Sequence, residues 1–250
     1  MGEKSKVVQQ FDRSGEAYLT SQVHAKGQDL EWIRELAMRS PGEKALDIAT
    51  GAGHTAFLLS GCIKHVVALD VTPKMVKLAS DEAKRRKIRN LTFVLGDAEA
   101  LPFIDSYFDL VTCRIAAHHF PNVKKAVQEM YRVLHHDGLL ILIDNIVPDD
   151  ADSARLLNQI EKLRDPSHHE SLTLNRWHRL FTEAGFSEVS CYRTWTTPMD
   201  IPEWLDRAKT PPSDREMIYA LFEQAKQDKW VDNQTIFLQK VMWVCRKNQP

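Results

Sequence analysis

The stretch Leu46-Asp47-Ile48-Ala49-Thr50-Gly51-Ala52-Gly53 decides how the chain is read. It completes a short apolar run, Lys44 to Ile48, and leads into a helical pattern carrying Phe57 and Leu59. A strand that ends beside an acid, turns on glycines and opens a helix is the general device for holding a nucleotide at a strand's carboxyl end. Glycines let a ligand approach the backbone closely, and the start of a helix offers N–H groups that no earlier carbonyl takes. Alone, the turn says only nucleotide.

Later acids sharpen the reading. Asp70 ends a second run, His65 to Asp70, roughly 20 residues after the glycines, where a carboxylate accepts hydrogen bonds from both ribose hydroxyls. A dinucleotide turn would read G-x-G-x-x-G, but here the glycines are followed by His54-Thr55-Ala56. A third acid closes strand three in Gly96-Asp97-Ala98-Glu99. There a carboxylate can accept from an adenine amino group while the next backbone N–H donates to a ring nitrogen.

With these stretches in order, residues 44 to 146 resemble a class I S-adenosylmethionine (SAM)-dependent methyltransferase, closest to the ubiquinone/menaquinone-biosynthesis type. Val67-Ala68-Leu69-Asp70-Val71-Thr72, Phe108-Asp109-Leu110-Val111 and Arg132-Val133-Leu134 running to Gly138 complete the match. The resemblance implies that Ala49, Thr50, Gly51 and Gly53 surround the methionine part of SAM. It also implies that Asp70 binds the ribose, Val71 packs on the adenine, Asp97 and Ala98 hold the adenine edge, and Arg114 reaches the methionine part. Ala49 departs from the glycine that often opens this loop, and Asp47 is expected to support the loop or the methionine amino group. Phe11 to Tyr18 resembles the family's N-terminal lid, with Tyr18 closing over the cofactor or simply docking on the domain. His119, in His118-His119-Phe120, is a candidate base or substrate-orienting group, and a capping or packing role is its alternative. Asp144 is expected to hold a loop rather than act as a base.

The first two-thirds of the chain alternate β-branched runs with helical patterns, a rhythm that changes beyond Pro148, and the whole implies an α/β, doubly wound, Rossmann-like sheet of seven strands. The resemblance makes the last strand, Thr235 to Cys245, antiparallel. Expected strands are Lys44–Ile48, His65–Asp70, Leu91–Leu95, Leu110–Cys113, Leu139–Ile143, Phe186–Trp195 and Thr235–Cys245, with a helix after each of the first five. Thr72 is expected to cap the helix that Pro73 opens. Other helices are expected at Lys26–Met38, Val123–Leu134, Ser153–Leu163, Asn175–Ala184, Glu203–Ala208 and Asp214–Gln227. The organisation expected is a lid and helix over 1–40, a SAM-binding core over 41–147, and a C-terminal part over 148–250. A helical insertion, about 198–232, would cap one edge of the sheet.

Composition narrows the function. The net charge of −1 over 250 residues gives no nucleic-acid footprint. The basic run Lys84-Arg85-Arg86-Lys87 reads as a solvated helix end. The cysteines make no Cys-x-x-Cys pair, and His168-His169 lacks a third ligand nearby, so no metal is expected. No apolar stretch is long enough to span a bilayer. The expectation is a cytoplasmic enzyme that methylates a small molecule at carbon or oxygen, with a homodimer left open. Its acceptor pocket would lie between the lid, the His118 loop and residues 148–232. A SAM-binding protein without catalysis and a nicotinamide-dependent oxidoreductase are the alternatives. Trp177, Trp195, Trp204, Trp230 and Trp243 could line an aromatic pocket, with core packing the default for Trp177 and Trp243.

Overall fold

A computed structural model describes residues 2–20, 27–40, 42–225 and 230–248. The Tyr18 side chain, Lys26 and Gln227 lie outside what is described. In chain order the elements are α1 (Glu3–Thr20), α2 (Gln28–Arg39), β1 (Lys44–Ile48), α3 (His54–Ser60), β2 (His65–Asp70), α4 (Pro73–Arg85), β3 (Leu91–Leu95) and β4 (Phe108–Arg114). A 3₁₀ turn, Ala117–His119, leads to α5 (Val123–Val133), β5 (Leu134–Asn145), α6 (Ala151–Arg164), α7 (Leu174–Ala184) and β6 (Glu188–Asp200). α8 (Ile201–Ala208), α9 (Pro212–Gln224) and β7 (Thr235–Arg246) follow.

The strands form one seven-stranded sheet in the order β3-β2-β1-β4-β5-β7-β6. β1 to β5 run parallel, and β7 runs antiparallel between β5 and β6. Strand alternation sorts the core onto two faces, because successive side chains point to opposite sides. Leu46, Ile48, Val111, Cys113, Leu140 and Leu142 meet Val127 and Met130 of α5 and Trp177 and Phe181 of α7. Ala45, Leu110, Leu139, Ile141 and Ile143 meet Leu30, Ile33 and Ala37 of α2 and Leu59 of α3. α5 buries Ala126, Val127, Met130 and Val133, one stripe of a 3.6-residue helix, and Asn122 caps it by accepting from the Lys125 N–H at 3.0 Å.

The structure corrects several expectations. No helix follows β3 in the described residues; 96–107 is a loop. Pro102 interrupts it, and side chains of α5 take up its backbone groups in place of a helical ladder. Arg132 donates to the Leu101 and Phe103 carbonyls, and Glu129 accepts from the Leu101 N–H. Thr72 stands at the start of α4 but its side chain makes no cap bond. Asp70 accepts the Thr72 N–H instead, at 2.9 Å.

The helices expected within the insertion, α8 and α9, also sit elsewhere than expected. β6 and β7 continue their ladder beyond the Asn145–Lys240 pair that ends β5, as far as Asp200–Thr235. The hairpin therefore overshoots the carboxyl end of β5 and carries α8 and α9 above the strand ends, not along an edge. There Trp204, Leu205, Ile218 and Phe222 pack with Leu157 and Ile160 of α6 in a separate cluster. α1 closes the same end, tied to α8 by Gln10 Nε2 donating to the Ala208 carbonyl and to α4 by Lys74 Nζ donating to the Asp12 carbonyl.

Candidate active site

A cavity opens at the carboxyl ends of β1, β2, β4 and β5, where strand order reverses between β1 and β4 and open α/β sheets place ligands. Ala49, Thr50, Gly51, Asp70, Val71, Asp97, Ala98 and Arg114 all line it, as do His118 and His119. Gly53 does not; it is the hinge behind the turn. Its φ is +89°, and an added Cβ would stand 2.6 Å from Phe57 Cζ.

The turn is braced by two carboxylates. Asp47, buried beneath it, accepts from the hydroxyls of Thr50 at 2.6 Å and Thr112 at 2.7 Å. Burial pushes its carboxyl up to about 6, against the two hydroxyl bonds. This is the loop-supporting role expected of it. Asp70 accepts from the Gly51 N–H at 2.8 Å, and burial raises it too, the backbone N–H donors opposing. Its four lone-pair positions leave room for further donors from the cavity side.

Two non-glycine residues line the cavity with left-handed backbone, Ala49 at φ +53° and Ile115 at φ +53°. That conformation explains why a glycine suits position 49. For the β-branched Ile115 it is a true outlier, of the strained kind that gathers at functional sites.

The Arg114 guanidinium is held by α2. It forms a fork with Asp29 of α2, Nε–Oδ2 2.5 Å and Nη2–Oδ1 3.0 Å, both side chains 6% exposed. A buried bidentate pair of this kind holds its geometry, so contact with a ligand through this side chain is unfavourable and the backbone is what Arg114 offers. Asp97 is met by Lys4 of α1, whose ammonium lies 2.5 Å from Asp97 and 2.6 Å from Glu99.

Beyond β4 the two histidines are held differently. His118 meets Asp144 twice, its backbone N–H donating to Oδ2 at 2.8 Å and its Nδ1 lying 2.5 Å from Oδ1. Burial disfavours the imidazolium of His118, but the charge and hydrogen bond of Asp144 outweigh it and the net shift is upward. His119 Nδ1 lies 3.1 Å from Ser167 Oγ, whose own proton goes to Asp165 at 2.6 Å. That network assigns the proton to Nδ1 of His119 and leaves Nε2 as an acceptor. Burial, then His118, push His119 down to about 4, so it is neutral at neutral pH. The histidine-rich segment after Arg164 is a loop docked on this pair, with His169 and Glu170 N–H groups donating to the His118 carbonyl.

The far wall comes from Arg164, Asp165, Met199, Trp204, Arg207 and Lys240, and Phe11 of α1 faces His119 edge-on at 5.2 Å. Of the tryptophans singled out, Trp204 lines the cavity; Trp177, Trp243 and Trp230 are core, and Trp195 packs on Trp32. Sequence reasoning passed over Lys4, Ile115, Asn145 and Lys240. Lys240 alone carried a signal, a lysine in the apolar run Ile236 to Met242.

Comparison with known proteins bears on this geometry. Residues 46–142 match the Methyltransferase domain family. The chain is 38% identical over 208 residues to the uncharacterized methyltransferase YcgJ of Bacillus subtilis, covering 82% of this chain and 81% of that one. The crystal structure of YcgJ superposes with a TM-score of 0.83 over 88% of this chain and 98% of its own. The ubiquinone/menaquinone biosynthesis C-methyltransferase UbiE of Rhizobium etli is 35% identical over 154 residues, 57% of this chain and 60% of that protein. A glycine turn braced by buried acids at the switch point of a 3-2-1-4-5-7-6 sheet, with relatives of this kind, makes the chain a member of the class I SAM-dependent methyltransferases.

Proposed function

We propose that the protein transfers a methyl group from SAM to a small-molecule acceptor at a carbon or oxygen nucleophile. The observation that carries this is the buried Asp70 carboxylate, facing the cavity at the end of β2 while it holds the glycine turn. The residues fit the cofactor: Asp70 for the ribose hydroxyls, Val71 and Ala98 for the adenine faces, Asp97 for its edge. Ala49, Thr50, Gly51 and the Arg114 backbone would take the methionine part, with Gly53 shaping the turn. The bound sulfonium supplies an activated methyl, so the protein's task is alignment and exclusion of water.

A proton-bearing nucleophile also needs a base. His118, oriented by Asp144 and with no partner on its Nε2 among the described residues, is better suited than His119, whose affinity for a proton is too low near neutrality. His119 Nε2 would instead orient the acceptor by accepting from it. The test is calorimetry with S-adenosylhomocysteine. Micromolar binding is expected, weakened by a few kcal/mol in Asp70→Ala; absence of heat from the unaltered protein would refute the reading.

A further inference from the structure

At the end of the cavity away from the glycine turn, two polar side chains have hydrogen-bonding capacity that the fold does not use. Lys240 is 7% exposed, lines the cavity, and has no hydrogen bond or ion pair on its ammonium among the described residues. Asn145 stands opposite it in the antiparallel β5–β7 register, which sends both side chains to the same face of the sheet. The Asn145 Oδ1 is buried without a partner among the described residues, and this residue too lines the cavity.

The surrounding carboxylates do not answer Lys240, because each is committed elsewhere. Asp29 gives both oxygens to Arg114. Asp144 is taken by His118 and the Asn145 N–H. Glu161 pairs with Arg164, and Asp165 accepts from Ser167. Arg164 and Arg207 line the same end. Burial is the largest influence on Lys240 and draws its ammonium down to about 8, with the charges of Asp29, Asp144 and Glu161 opposing it only in part. An apolar side chain at this position of a central strand would be the cheaper choice for folding alone. A ligand carboxylate would give the ammonium the hydrogen-bonded partner that it lacks among the described residues.

We propose that Lys240 and Asn145 form a subsite for the methyl acceptor, in which the Lys240 ammonium donates to a carboxylate of the acceptor and Asn145 Oδ1 accepts from an adjacent hydroxyl. The acceptor class is thus a small hydroxy-carboxylate, held by its acid end with its nucleophile turned toward β4 and the His118 loop. This inference rests on the functional reading above.

The experiment uses the full chain loaded with S-adenosylhomocysteine. 2-Hydroxybenzoate, 4-hydroxybenzoate, mandelate and lactate are each titrated beside the matching carboxamide, which keeps the shape and removes the charge. At least one carboxylate should bind tenfold or more tightly than its amide. Lys240→Met should erase that preference, and Lys240→Arg should keep most of it, with S-adenosylhomocysteine affinity unchanged in both. Lys240→Met removes a buried charge and replaces it with an apolar chain of similar length, so it should fold at least as stably. If S-adenosylhomocysteine binds but no pair shows a charge preference, or the preference survives in Lys240→Met, the subsite is refuted alone. If S-adenosylhomocysteine does not bind, the functional reading falls and the subsite with it.

Discussion

Asp47→Asn isolates the electrostatics beneath the glycine turn. In the folded chain burial moves this carboxyl from an ordinary 3.8 to about 6. At 1.36 kcal/mol per pH unit, that shift corresponds to about 3 kcal/mol of differential stability. The sign follows from linkage. A raised folded value means the native state binds the proton more tightly than the unfolded chain does. The contribution is therefore fully present below the ordinary value and is lost as pH rises through about 6. Asparagine cannot ionise and keeps the shape. Its Oδ1 can accept from one threonine hydroxyl and its amide can donate to the other, because hydroxyl protons rotate. Thr112 has the Leu46 carbonyl, 3.4 Å away, as another acceptor. Whatever fixed cost the replacement brings is the same at every pH. The stability of the variant relative to the parent should thus improve by about 2 kcal/mol between pH 4 and pH 7.5, because pH 4 already lies just above the unfolded value and misses the start of the window. Urea denaturation at both pH values measures it, and the other carboxylates cancel in the difference to first order. A variant-minus-parent difference that does not change with pH would refute the account of a buried, poorly solvated Asp47.

Two more perturbations follow from the geometry. Gly53→Ala should destabilise by about 2–4 kcal/mol, from a left-handed backbone plus a Cβ driven into the Phe57 ring, with a clear fall in Tm; Gly61→Ala, where the Cβ comes no nearer than 3.4 Å to its neighbours, should change Tm little. In an NMR titration of the ring protons, His118 should titrate above the ordinary histidine value and fall in Asp144→Asn, while His119 stays neutral down to about 4. An unmoved His118 in that variant would remove Asp144 as its partner.

The sequence by itself determined the parallel half of the sheet and the cofactor end of the cavity. Both depend on local signals: a glycine turn after a strand, an acid ending each of the next two strands, and apolar runs of alternating face. Lys44–Ile48, His65–Asp70 and Leu91–Leu95 appear in the structure with the bounds that their patterns imply. The loop after β3 was not legible, because what replaces a helix there is the reach of Arg132 and Glu129 from α5. Nor was the fate of Arg114, which is decided by Asp29, 85 residues away in sequence. The acceptor end is tertiary throughout. Its wall is assembled from α1, the His118 turn, the start of the 165–170 loop, α8 and β7, segments whose proximity no periodicity encodes. Lys240 shows the division most clearly: its oddity was visible in the sequence of its strand, but its lack of a hydrogen-bonded partner among the described residues emerged only once the chain had folded and Asp29, Asp144 and Glu161 were bound elsewhere.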